Sequence, residues 1–467
     1  MAIKRYTADA DNTITNAFEA NLKTRGTDAN MGESDIVEVF TIYGQTSQDG
    51  TSSSEQSKIL LNFPTSDISA DRTSGDIPGA GNVSFYLRVH NAPHGQTLPK
   101  NYDLTILPVS RSWDEGYGLD MESYSDKGSS NWLNATTNVT WSSPGGDYLS
   151  SPSYEQHIET GTEDVEVDIT DMVEGWLTTP ATSNGVGISL SSSYVDMDRS
   201  FYIKKFFSRG SEHFYLRPKI EARWTADIED DRGSFYASSS LVPGTENLNT
   251  LYIYNRVRGE LKNIPTDATN LTMSLYYGES TGPVGTVLTS SSVTNVSDGI
   301  YSSTVYLDTT SSYLYDVWHS DSIQYVTGSR ISVRSFAAES TANTGEHVSN
   351  ITNLKEKYST SEKPRMRMFV RDKDWSPTIY TVATANIETK IIPEAFYSIH
   401  RVADGFNVIP YGTGSIEYTK MSYDKDGNYF DIDMSLFEEG YSYGIKVSYK
   451  NSGRLEEQPE LFKFRVE

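Results

Sequence analysis

Apolar residues in this chain recur at every second position, segment after segment. Phe85, Leu87 and Val89 alternate with Tyr86 and Arg88, and Val165, Val167 and Ile169 with Glu166 and Asp168. The same period returns at Leu251–Tyr254, Met273–Tyr277, Tyr301–Leu307, Arg365–Val370, Phe430–Met434, Ile445–Tyr449 and Phe462–Val466. A period of two gathers one set of side chains on one face of a strand and scatters them around a helix. Short strands rich in Thr, Val and Tyr, set between Gly/Asn/Asp/Ser clusters, predict an all-β chain of antiparallel sandwiches. Helical patterns are few. Asp11–Lys23 carries a poor one. Asp168–Trp176 carries a better one, with Thr170 as the expected N-cap and an end near Gly175.

A chain of 467 residues exceeds one ordinary domain and suits about three. An acidic, turn-prone passage at 225–233 and a polar stretch from Ala338 to Pro364 place the boundaries, giving modules at 1–227, 228–344 and 345–467. The two smaller modules resemble each other. Asp298-Gly299 is matched by Asp426-Gly427, and Tyr313 and Tyr315 by Tyr441 and Tyr443 at the same distance from the Gly. Asp-Gly suits a tight hairpin turn, and a Tyr entering the next strand suits the corner tyrosine of immunoglobulin-like sandwiches. Tyr315 and Tyr443 are therefore expected to hold crossovers, in two tandem immunoglobulin-like modules.

Charge and cysteine content narrow the function. With Lys+Arg 39 against Asp+Glu 63, the chain carries a net charge of -24, opposite in sign to what phosphate backbones and acidic membranes attract. No nucleic acid and no membrane are expected as partners. The absence of Cys excludes disulfide scaffolds, thiolate metal sites and cysteine nucleophiles. The first residues lack the apolar run of a signal peptide, so a cytosolic origin without export is expected.

Few residues suggest chemistry. Trp113-Asp114-Glu115-Gly116 sets two carboxylates beside an indole, which reads either as an acid/base pair with a sugar platform or as a Trp anchoring a loop while Asp114 bonds turn amides. Trp132 and Trp141, in the Ser/Asn/Thr-rich loop 128–146, have the better claim to an exposed glycan-stacking role. Asp424, Asp426 and Asn428 alternate as calcium ligands do, although a hairpin turn explains them more simply. Asp227, Glu229, Asp230 and Asp231 read as a solvated turn. No nucleophile elbow, phosphate loop, dinucleotide fingerprint or zinc motif occurs. No catalytic residue is nominated, no enzyme activity is expected, and no cofactor beyond that calcium option is expected.

The first half carries a family likeness. In order, it holds Asn30-Met-Gly32, Gln56-Ser-Lys-Ile-Leu-Leu-Asn-Phe63, Gly81-Asn-Val-Ser-Phe-Tyr-Leu-Arg-Val89, Val109-Ser-Arg-Ser-Trp-Asp-Glu-Gly116, Val167-Asp168-Ile-Thr170, Phe206-Phe-Ser208-Arg209 and Arg217-Pro-Lys-Ile-Glu221. This series resembles DNRLRE-type modules, related to carbohydrate-binding modules, and implies a jelly-roll-like β-sandwich over roughly residues 6–224. With the later Asp424-Lys-Asp-Gly-Asn-Tyr-Phe-Asp-Ile-Asp433 and the terminal Phe462-Lys-Phe-Arg-Val-Glu467, the whole chain resembles virion structural proteins of marine tailed bacteriophages. That resemblance implies a non-enzymatic protein assembled in the host cytoplasm, in several copies on the neck, tail, baseplate or head surface. Its partners would be other virion proteins and copies of itself. A module that binds host surface glycans is the alternative, and a glycan-degrading enzyme the second alternative.

Overall fold

The computed structural model describes residues 2–46, 52–96, 98–119, 124–195, 197, 199–265, 270–279, 282–308, 311–336, 347–373, 389–451 and 453–467. The part of the polar boundary stretch at 338–346 lies outside the described residues. The chain divides into two compact units, Ala2–Thr225 and Ala226–Glu467. Both are all-β, built from packed, mostly antiparallel sheets, and the described helices are short.

In the first unit the strands are β1 (Ile3–Thr7), β2 (Ala10–Thr15), β3 (Ile36–Thr46), β4 (Ser52–Asn62), β5 (Ser84–Val89), β6 (Tyr102–Pro108), β7 (Asn134–Thr136), β8 (Val139–Thr140), β9 (Tyr154–Ile158), β10 (Val165–Asp168), β11 (Val186–Leu190), β12 (Phe201–Phe207) and β13 (Lys219–Arg223). One sheet runs β1-β13-β5-β10; the other, seven-stranded, runs β12-β3-β4-β11-β6-β9 with β2 beside the second half of β4. Their inner faces bury Ile59, Leu61, Phe85, Leu87, Leu104, Ile106, Ile188 and Ile220 completely. Each such side chain removes apolar surface worth ~1.5–3 kcal/mol, which is why alternate positions are so consistently apolar. Strand β4 breaks the alternation because both of its faces are covered. Ile59 and Leu61 enter the sandwich, while Leu60 packs outward against Ile14, Val109, Trp132, Ala135 and Trp141.

Two helices flank the sandwich, α1 (Thr65–Ser74) and α2 (Thr170–Thr178), joined by Arg72 and Glu174 through two bonds of 2.6 Å. Two helix expectations need correction. Asp11–Lys23 is not helical, since Ala10–Thr15 pairs with β4, whose exposed edge wins over a weak helical pattern. Thr170 does not act as the cap. Asp168 Oδ1 accepts from the Thr170 N–H (2.9 Å), while Thr170 Oγ1 donates to Asp168 (2.6 Å) and accepts from Phe85 N–H (2.8 Å). The helix then continues past Gly175, because Met172, Val173 and Trp176 form the buried stripe that holds it.

The second unit holds two immunoglobulin-like sandwiches of matching topology. In one, Phe235–Ala237 pairs in parallel with Ile331–Ser335, which lies beside Tyr313–Ser320, then Thr272–Glu279, then Gly282–Ser292. In the other, Lys357–Tyr358 pairs in parallel with Phe462–Val466, followed by Ser442–Asn451, Ala395–Arg401 and Asn407–Ile409. Gly299 (φ +70°) and Gly427 (φ +109°) supply the backbone that their hairpins require.

The paired tyrosines differ. Tyr443, fully buried, donates to Glu438 C=O and accepts from Glu438 N–H, both at 2.9 Å, and so closes a corner five residues upstream. Tyr315 closes no corner. Its hydroxyl instead donates to Glu279 C=O on the neighbouring strand (3.1 Å). Tyr301 makes the comparable loop bond in that module, accepting from Ile264 N–H at 2.9 Å.

The passage 227–231 is not a solvated turn. Tyr423 N–H donates to Ile228 C=O (2.9 Å), Asp230 N–H donates to Tyr423 C=O (3.0 Å), and Arg232 contacts Asp230 (2.6 Å) and Asp316 (2.5 Å). These acidic groups are held by the two sandwiches on either side, a tertiary arrangement that local composition does not show.

Candidate functional site

Several motif pieces of the first unit converge on one buried polar junction. Asn30 donates to Asp126 C=O (3.0 Å) and Gly128 C=O (3.1 Å), and its Oδ1 accepts from the N–H groups of Tyr117 (2.8 Å) and Gly118 (2.6 Å). Asn12 accepts from Met31 N–H (2.7 Å) and donates to Ser130. Gly118 lies so close to the Asn30 carbonyl that any Cβ would collide with it. Glu115 accepts from Asp11 N–H (2.9 Å) and receives the Arg209 guanidinium through Nε (2.8 Å) and Nη2 (2.7 Å), while Arg209 N–H donates to Asp11. Asp11 is fully buried. Burial chiefly, with neighbouring Glu115 adding to it, pushes its carboxyl up to about 7, against the Arg209 N–H and guanidinium. The junction fastens the loops around 30, 115 and 209 to the sandwich edge, and its carboxylates are engaged in doing so.

The residues nominated from sequence are dispersed between this edge and the cores. Trp113 is half-buried on the small outer core and donates its indole N–H to Asn184 C=O (2.9 Å). Asp114 contributes through its main chain, donating to Ala135 C=O and accepting from Ser130 N–H, both at 3.0 Å. Its side chain is exposed, so the role expected for its carboxylate passes to Glu115. Trp132 and Trp141 are only 8% and 5% exposed, and Trp141 donates to Asn131 C=O (2.8 Å). The expectation of an exposed stacking ledge is therefore overturned. The polar loop folds back and spends both indoles covering Leu60 and Ile14. Trp176 lies in the main core.

The calcium option is also corrected. Asp424 is held by Arg367 through two bonds of 2.7 and 2.6 Å and accepts Asp426 N–H (2.9 Å). Asn428 is buried and bonds both N–H and C=O of Ile392 (2.8 Å each). The Asp426 carboxylate is exposed beside Lys425, at 3.9 Å. Among the described residues no group of three or more His, Asp or Glu is placed to share a metal ion.

A cavity that no sequence motif announced lies on the outer face of the seven-stranded sheet. It has a volume of about 300 Å³ and is lined by Thr41, Gln56, Lys58, Thr105, Leu107 and Ser189, among others. Lys58 Nζ stands 4.9 Å from the Tyr148 ring centre and 5.5 Å from that of Trp132. Burial lowers its pKa. Lys58 precedes the run Ile59-Leu60-Leu61, which marks a covered strand, but whether it meets an acidic partner is a tertiary fact.

No family model matches the chain, and no curated protein matches it. Among solved structures, it is similar to the Yersinia pseudotuberculosis adhesin InvE, at 11% identity over 49% of this chain and 56% of that one, with a TM-score of 0.16. The chain thus spans little more than half of that adhesin's length. It is also similar to the Escherichia coli adhesin FdeC (12% identity, 62% and 79% covered, TM-score 0.16) and to titin A168169 (9%, 52% and 96%, 0.16). TM-scores of this size carry no argument about function, which has to come from the chain's own residues.

Proposed function

We propose that this chain is a non-enzymatic structural protein that joins copies of itself and other subunits through its sandwich edges and faces, in a tailed-bacteriophage particle of the kind whose structural proteins its sequence resembles. One observation carries the reading. Gly282–Ser292 is the terminal strand of its sheet, largely exposed, and holds no charged residue in 11 positions. Soluble sheets ordinarily blunt such an edge with Lys, with bulges or with a covering segment, because its free N–H and C=O groups recruit another strand; this strand shifts register twice between Thr289 and Val284 but carries no Lys or other charge. Ser291 and Ser303 tie its far end to the strand Ile300–Val305, which leaves the stretch with exposed Val284 and Val287 as the open part. In a chain of net charge -24, copies approach with least repulsion where the surface is neutral. The carboxylates of Glu115 and Asp424 support the non-catalytic part of the reading, since both are engaged by arginines.

Sedimentation velocity of the full chain over a range of concentrations tests the proposal. Wild-type protein is expected to self-associate, and Val287→Lys, which sets a charge on the open edge, to shift that association at least about tenfold toward monomer. A strictly monomeric wild type, or equal association in both proteins, would sink it.

A further inference from the structure

We propose that Lys204 and Asn91 join covalently once the chain has folded, the lysine amine displacing ammonia from the carboxamide to leave an amide crosslink between them. This goes beyond the assembly role and lies in the other unit of the chain. Lys204 shares one face of the edge strand β12 with the core residue Phe206, its Nζ 5.2 Å from that ring centre, and is 1% exposed. Nζ donates to Asn91 Oδ1 (2.7 Å) and to Gly161 C=O (3.0 Å). A carbonyl bond is about 1.2 Å long, so the amine stands within about 4 Å of the Asn91 carboxamide carbon, close to the separation from which an amine attacks. Asn91 is itself held in place, because its N–H donates to Asp164 Oδ1 (2.7 Å).

An inward-pointing lysine on an edge strand ordinarily serves to keep other strands away. Here that edge is already covered, since Phe207 N–H donates to His90 C=O (3.0 Å) and Ala92 N–H to Lys205 C=O (2.9 Å). What remains is the cost of a charge taken out of water, which an apolar side chain would avoid. Burial pushes the Lys204 ammonium down to about 8, against the opposing pull of Glu163 and Asp164. Roughly a tenth of it is then the neutral, nucleophilic amine at pH 7. The step needs no outside reagent. The Nζ–Cγ bond forms and the Cγ–Nδ2 bond breaks, and the proton that the amine gives up is taken by Nδ2, which leaves as ammonia. One amide replaces another while a small molecule is released and a buried charge disappears, and both changes favour the product. The bond ties the edge of the seven-stranded sheet to the segment that continues β5 of the other sheet, across 113 positions of sequence.

Mass spectrometry of the full chain under denaturing conditions, after incubation near pH 8, tests this. Wild-type protein is expected to be lighter than its sequence by one ammonia. Its tryptic digest should contain a branched species in which the peptide carrying Asn91 is joined to the one carrying an uncleaved Lys204. Lys204→Met and Asn91→Ser should each show the full mass of their own sequence. Ammonia lost by ring closure at some other Asn would persist in both variants, which separates that reaction from the crosslink. The wild-type digest decides the matter by itself if either variant fails to fold. Full sequence mass in wild type, a digest without the branched species, or loss of ammonia that survives both substitutions would overturn the assignment and leave Lys204 and Asn91 as a hydrogen-bonded pair. None of these outcomes touches the strand at 282–292, so this proposal and the assembly role fail separately.

Discussion

Tyr443 and Tyr315 occupy matching places in matching strands, yet only the first closes a loop on itself. Removing the Tyr443 hydroxyl strands both the N–H and C=O of Glu438, and buried groups left without partners cost ~1–3 kcal/mol. Tyr443→Phe is therefore expected to destabilise by about that much in urea unfolding, and Tyr315→Phe, which loses one half-buried bond, by less than about 1 kcal/mol. Equal losses would mean that the corner is not what distinguishes them. Asp11 gives a second single-residue test. Its folded carboxyl titrates at about 7, while an unfolded Asp releases its proton near pH 4. Between those values the folded chain keeps a proton that the unfolded chain has lost, so stability falls as pH rises through the window, by up to roughly 1.4 kcal/mol per pH unit. Asp11→Asn keeps an acceptor for Arg209 N–H and removes the titration. From pH 4.5 to 7, the melting temperature of the variant should fall less than that of wild type. Parallel curves would show that Asp11 does not carry the effect.

Among strands, helices and loops, legibility in the sequence depended on burial of one face. Strands such as Ser84–Val89 and Phe462–Val466 alternate because one side meets a core, and period two reports that directly. Helix Thr65–Ser74 escaped the sequence reading because Ile68 is its only buried side chain, so it has no apolar stripe to detect. Its place is fixed by Arg72 meeting Glu174 across the fold. The loop from 128 to 146 misled for the opposite reason. Its Ser, Asn and Thr bond one another and the main chain, as Asn131 Oδ1 does with Leu133 and Asn134 N–H, which frees its tryptophans to act as an inward cover. Its composition reads as polar and exposed; the pairing of those polar groups, invisible in sequence, let it be buried. The candidate site divides the same way. The Asn30, Glu115 and Arg209 fragments stood in the sequence as separate motifs, and their convergence is a property of the folded edge.

For the unit Ala226–Glu467, the question is whether two sandwiches behave as one body. Asp231 is a side chain that touches both. Its Oδ1 accepts from the Tyr423 hydroxyl (2.8 Å) in the C-terminal sandwich, and its Oδ2 accepts from Thr250 N–H (2.6 Å) in the other. Main-chain bonds between 228–230 and Tyr423 add a short run of sheet on one side, and Arg232 with buried Asp316 anchors the other. A joint of this kind couples unfolding, since opening either sandwich strands polar groups at the junction. Scanning calorimetry of the full chain is expected to show one transition for this unit. Asp231→Ala should split or broaden it, because Tyr423 and Thr250 lose their shared partner while each core stays intact. Two transitions already in wild type, or an unchanged profile in the variant, would mean that the sandwiches are strung together rather than locked. A locked pair would hold the strand at 282–292 in a fixed direction, so this measurement also bears on the proposal that the open edge meets another subunit.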